Sequence, residues 1–225
     1  MTKGPVKPFP AKDERDLGYR VARTTVGAVP YLGGSFQELL DIAIGMPSAK
    51  RQEEWYKSLG EILNEVCIRV DGLTPQMLSQ NEEFQTVVAT ATEIALRNHR
   101  EEKLQALRNI VKNTAEGFQI DEVLRNHFLS LIDRFAPVHI VVLRLHDNPA
   151  SSPQIFARAK GLTMGSFRIL LKAALPACSD ALLDQVEQDL AAERLITVST
   201  VTMTVQGLMA SHSTPRGKAF LEFIS

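Results

Sequence analysis

From Trp55 to Phe135 apolar side chains return every third or fourth position and almost never alternate, a period that admits helices and little else. The clearest stripe is Trp55, Leu59, Ile62, Leu63, Val66, Cys67 and Val70, closed by Asp71-Gly72. Thr74-Pro75 then offers a cap followed by proline, whose fixed φ and missing N–H suit a first helical turn. Val87, Val88, Ala91, Ile94 and Ala95 mark a helix with small residues inward, and Leu104, Leu107, Ile110 and Val111 carry helical character on to Gly117. Ile120, Val123, Leu124, Phe128, Leu131, Ile132 and Phe135 line a further face, which Pro137 ends or kinks. Upstream, Asp13 to Ala28 and a segment capped by Ser35 (Phe36, Leu39, Leu40, Ala43 and Ile44) continue the pattern behind a proline-bearing tail, residues 1–12. Residues 13–135 are therefore expected to form a helical bundle. The tetrapeptide Leu96-Arg97-Asn98-His99 recurs as Leu124-Arg125-Asn126-His127, but the flanks differ and no duplicated unit is implied.

Beyond residue 135 the pattern changes. Pro137 to Leu145 is compact and apolar, a loop rich in Ala, Ser and Pro follows, and Gly161 to Leu175 is expected to be helical up to Pro176. Ser179 caps a helix carrying Leu182, Leu183, Val186 and Leu190 that leads into Leu195-Ile196. Thr197 to Val205, packed with Thr and Val and followed by Gly207, is the one segment with a β pattern and predicts a small β-hairpin. Thr214-Pro215 opens a closing helix with Phe220, Leu221 and Ile224. The expected class is mainly α, with a second domain over residues 136–225.

Charge narrows the function classes. The 225 residues carry 25 Lys plus Arg against 26 Asp plus Glu, so a wholly cationic surface for coating nucleic acid is ruled out, and the 44% hydrophobic content excludes a disordered chain. Cys67 and Cys178 stand in no paired motif and are expected to be reduced thiols. The first residues show no export signal, since Lys3, Lys7 and three prolines are followed by Asp13, Glu14, Arg15 and Asp16. The longest near-apolar run, Ala136 to Leu145, is too short to span a bilayer and holds His139 and Arg144. Val21 to Ile44 is mildly amphipathic, but Arg23, Glu38 and Asp41 oppose stable insertion. A cytoplasmic location is the expectation.

Helices followed by a hairpin and a closing helix resemble a winged helix-turn-helix. The resemblance is carried by Leu190-Ala191-Ala192-Glu193-Arg194-Leu195-Ile196 and by Thr214-Pro215-Arg216-Gly217-Lys218-Ala219-Phe220-Leu221. Such domains serve both as DNA readers and as protein-contact modules. The helix in the reading position carries Asp180, Asp184, Glu187, Asp189 and Glu193 against Arg194 alone, and an acidic helix is repelled by the phosphates flanking a major groove. A non-enzymatic interaction or regulatory module is thus the leading expectation, with Asp180, Asp184, Glu187 and Asp189 turned to a protein partner or a second copy. The rival is a DNA-binding regulator using Arg158, Lys160, Arg168 and Lys172, the four cations of a stretch from Asn148 to Ser179 that contains no acidic residue. The whole chain is also faintly similar to the abortive-infection alpha-type proteins of bacterial anti-phage systems, through Gly27, Pro30, Gly33 and Gly34 and through Thr214, Gly217, Phe220 and Leu221. That similarity implies a phage-defence setting and brings no catalytic residues.

A third expectation is a helical RNase. Arg134 and His139 have the Arg-x4-His spacing of the HEPN class, which implies an Arg holding phosphate and a His activating the 2′-hydroxyl. The sequence departs from that signature in placing Phe135 after the Arg and Pro137 between the two. His99, His127, His139, His146 and His212 do not cluster at ligand spacing, so no metal is expected. No HExxH, Gly-rich phosphate loop, CxxC or Ser-centred elbow is present, and no cofactor is expected.

Overall fold

The computed structural model describes residues 49–197 and 202–225. The expected tail, the first two helices, the amphipathic stretch 21–44 and Gly27, Pro30, Gly33 and Gly34 lie outside the described residues, as do positions 198–201 of the expected strand. The chain is mainly α and divides into two compact units, Met1–Gln119 and Ile120–Ser225. No helix among the described residues is long and apolar enough to cross a membrane.

In the first unit, α1 (Ala49–Arg69), α2 (Pro75–Gln80), α3 (Glu82–Arg97) and α4 (Glu101–Ala115) follow one another. Helix α1 packs on α3 and α4, and α3 packs on α4. Trp55, Leu59, Leu63 and Val66 are buried with Phe84, Val87, Val88, Ala91 and Ile94 of α3 and Leu107, Ile110 and Val111 of α4. The indole Nε1 donates to Thr92 Oγ1 at 2.9 Å, so the one polar atom of the largest side chain is satisfied inside the core. Thr74 and Asn81 cap their helices, accepting from the Met77 and Phe84 amides at 3.3 and 2.9 Å. Gly72 and Gly117 end α1 and α4 at φ +80 and +81, a region that favours glycine.

The second unit begins with α5 (Glu122–Arg134), capped by Asp121, and α6 (Pro137–Asp147), whose proline stands in its first turn. Sequence periodicity assigns α5 to the bundle; the structure places it in the second unit. The reason is aromatic. Phe128 meets Phe220 edge-on at 5.1 Å and Phe223 at 6.1 Å, so the last helix, α11 (Pro215–Phe223), covers the face that the periodicity exposes.

Between these ends lie a single 3-10 turn (Pro149–Ser151), α7 (Pro153–Ala159), β1 (Met164–Gly165), α8 (Phe167–Ala174), α9 (Asp180–Ala192), β2 (Met203–Thr204) and the one-turn α10 (Val205–Leu208). Two local expectations need correction. The loop before Gly161 contains α7, started by Ser152, whose hydroxyl accepts from the Ile155 amide at 3.3 Å. The helix expected from Gly161 is confined to Phe167–Ala174, because Met164 and Gly165 pair with Thr204 and Met203 in an antiparallel ladder.

The hairpin is also differently built. Met203 and Thr204 pair with β1 rather than with a neighbouring strand, while Ile196 bridges to Ser213. The Thr197 amide donates to His212 O and the Thr214 amide to Leu195 O, both at 2.9 Å. Val205 starts a helical turn because Thr204 Oγ1 accepts from the Gly207 amide at 3.3 Å, so Gly207 lies within a turn of helix and not at a hairpin tip.

Candidate functional site

Helix α9 is the centre of the charged chemistry. Ser179 starts it, accepting from the Leu182 amide at 3.2 Å, and Leu183, Val186 and Leu190 form its buried ridge. Carboxylates flank that ridge on both sides, and each flank meets cations of its own unit.

On one side, Arg168 of α8 makes ion pairs with both Asp184 and Glu187 and donates to the Asp180 carbonyl at 2.9 Å. Lys172 stands 3.5 Å from the Asp180 carboxylate and donates to the Cys178 carbonyl at 2.5 Å. His146 of α6 approaches Glu187 Oε1 at 3.2 Å from a fully buried position. The Glu187 side chain is only 12% exposed. Burial pushes its carboxyl up, but the His146 hydrogen bond and charge, with the Arg168 guanidinium, outweigh that and hold it below the usual carboxylate range.

On the other side, His139 Nε2 lies 3.1 Å from Asp189 Oδ2, and Arg134 donates to Glu193 Oε1 at 2.7 Å. His127 Nε2 also comes within 3.1 Å of Glu193, without the alignment of a hydrogen bond. The His139 hydrogen bond, with that of Gln185, holds Asp189 below its ordinary value against desolvation; the Arg134 hydrogen bond does the same for Glu193.

The structure thus takes Arg134 and His139 to different carboxylates of one helix. Both nitrogens of His139 are engaged. Nδ1 lies 3.2 Å from both the amide and the carbonyl of Ala136, Nε2 faces Asp189, and the ring stacks on Phe135 at 4.7 Å.

The basic stretch is divided. Arg168 and Lys172 are taken by α9, while Arg158 and Lys160 stay exposed on and just after α7, with the Lys160 ammonium 4.7 Å from the centroid of the Phe156 ring. Asp180, Asp184 and Glu187 are brought to internal cations, and Asp189 to the His139 ring. Sequence reasoning missed His127, His146 and the paired role of Glu193. Part of the signal was there: Arg168 and Lys172 are four apart on one helix, and Asp180, Asp184 and Glu187 repeat at helical spacing on the next.

Among the described residues no group of three or more His, Cys, Asp or Glu could hold a metal ion, and Cys67 and Cys178 are free thiols, with burial pushing Cys67 up. The chain matches no protein-family model, no curated protein and no solved structure.

Proposed function

We propose that the chain is a non-enzymatic interaction module whose second unit has a winged-helix-like order, with α9 in the reading position and a protein, or a second copy of the chain, as its partner. The observation that carries this reading is the engagement of the cations beside α9. Arg168 is held by Asp184 and Glu187 and Lys172 stands by Asp180, while the Asp180 and Asp184 carboxylates stay exposed, so the helix offers a partner an acidic edge and no free positive row. Beside the exposed Asp180 and Asp184 it presents Ala181, Gln185, Gln188 and Ala192 outward at helical spacing, with Leu182 next to them at 42% exposure. A narrow uncharged stripe of this kind is inexpensive to desolvate against another polypeptide.

Duplex DNA is the weaker partner, because phosphate contact needs free Lys or Arg and the two cations nearest α9 are already occupied. The similarity to abortive-infection alpha-type proteins would set the module in anti-phage defence. The test is anisotropy of a labelled duplex at low salt beside sedimentation of the chain across concentration. The reading expects no salt-dependent DNA binding, and self-association that Gln188→Arg weakens where a second copy is the partner. Tight duplex binding abolished by Arg158→Glu with Lys160→Glu would overturn it.

A further inference from the structure

His212 occupies a position that no part of the proposed interaction uses. Its backbone joins two strands of contact, donating from its amide to the His146 carbonyl at 2.7 Å and accepting from the Thr197 amide at 2.9 Å. Its ring sits half-buried, 4.8 Å from the Phe167 centroid and 5.9 Å from that of His146. The Nε2 proton points to the Leu208 carbonyl at 3.4 Å, so an added proton goes to Nδ1.

We propose that the segment Val205–Thr214 is an acid-released strap, held on the second unit by His212 as a neutral imidazole and loosened when that ring takes a proton. Among the described residues no carboxylate forms an ion pair with the ring. From α6 the ring faces His146, while Asp147 on the same helix is engaged by the hydroxyls of Ser211 and Ser213. From α8 it faces Phe167, whose neighbour Arg168 is already cationic. On α9, Glu187 is shared between His146 and Arg168. Burial holds the His212 imidazole below its ordinary value; the Leu208 carbonyl opposes this and His146 reinforces it. The sign follows. A base that is neutral when docked and protonated when released stabilises the docked form above its ordinary pKa, and that contribution is lost as pH falls through it.

Amide hydrogen exchange of peptides within residues 202–214, corrected for intrinsic rates, is compared at about pH 7.5 and about pH 5.5 on the full chain. Protection in this segment is expected to fall roughly fivefold, the ceiling being about tenfold for one histidine titrated one pH unit below its ordinary value. His212→Phe keeps a ring against Phe167 and is expected to remove the response. An NMR titration of the wild-type His212 ring gives an independent reading, with a midpoint below that of an exposed histidine. Unchanged protection in the wild type, an ordinary midpoint, or an equal acid response in His212→Phe each overturns the proposal.

Discussion

At the scale of single residues, the most constrained position is Gly217. A Cβ there would lie 2.1 Å from the Leu195 carbonyl oxygen, so helix α11 crosses the chain at a distance only glycine allows. Gly217→Ala is expected to cost about 2–4 kcal/mol, since backbone on one side or the other must move, and thermal melting checks it. Arg194, just before that crossing, has φ 57, a conformation that costs a side chain without compensation. Arg194→Gly is expected to stabilise the unit by about 0.5–1 kcal/mol, provided that the carbonyl of residue 194 still accepts from Thr214 Oγ1, which it does at 2.6 Å. A lower melting point in that variant would contradict the strain. Thr92→Val leaves the buried indole of Trp55 without its acceptor, and a loss of about 1–2 kcal/mol with a changed emission spectrum is expected.

At the scale of elements, α9 is held as much by charge as by its ridge. Arg168→Met strands Glu187 with His146 alone and is expected to destabilise the second unit by about 1–3 kcal/mol, whereas Arg168→Met with Glu187→Leu recovers most of that loss; a double-mutant cycle with no coupling would dismiss the network. Helices with a local start signal were legible in the sequence. Thr74-Pro75, Ser179 and Thr214-Pro215 all cap as their residue types predict. Ser152-Pro153 carries the same signal and was hidden by the loop-like composition around it. Two elements were not legible, for different reasons. The strand segment 203–204 pairs with residues about forty positions upstream, and no local pattern encodes a non-local partner. The tetrapeptide Leu-Arg-Asn-His ends α3 at Asn98 yet lies wholly inside α5 at residues 124–127, so identical local chemistry is resolved only by what packs on it. The charged site was half legible: the carboxylates of α9 and the cations Arg168 and Lys172 could be seen, His127 and His146 could not, and sign alone suggested a partner outside the chain where neighbouring helices supply the paired groups.

At the scale of the whole molecule, acid acts unequally on the two units. Glu187, Asp189 and Glu193 in the second unit and Glu65 in the first are held below their ordinary values. A carboxyl depressed in the folded state contributes stability above its unfolded pKa and loses it as pH falls, so the second unit has more to lose below about pH 4.5. Trp55 is the one tryptophan of the sequence and belongs to the first unit, so the indole reports that unit alone. Helical circular dichroism is expected to begin falling at a higher pH than the one at which Trp55 emission shifts; coincident transitions would refute the inequality. The ring contacts of Phe128 with Phe220 and Phe223 carry a separate consequence, for biosynthesis. A nascent chain that has exposed α5 must wait for nearly a hundred further residues to leave the ribosome before those rings have company, so this unit finishes folding only once α11 has emerged.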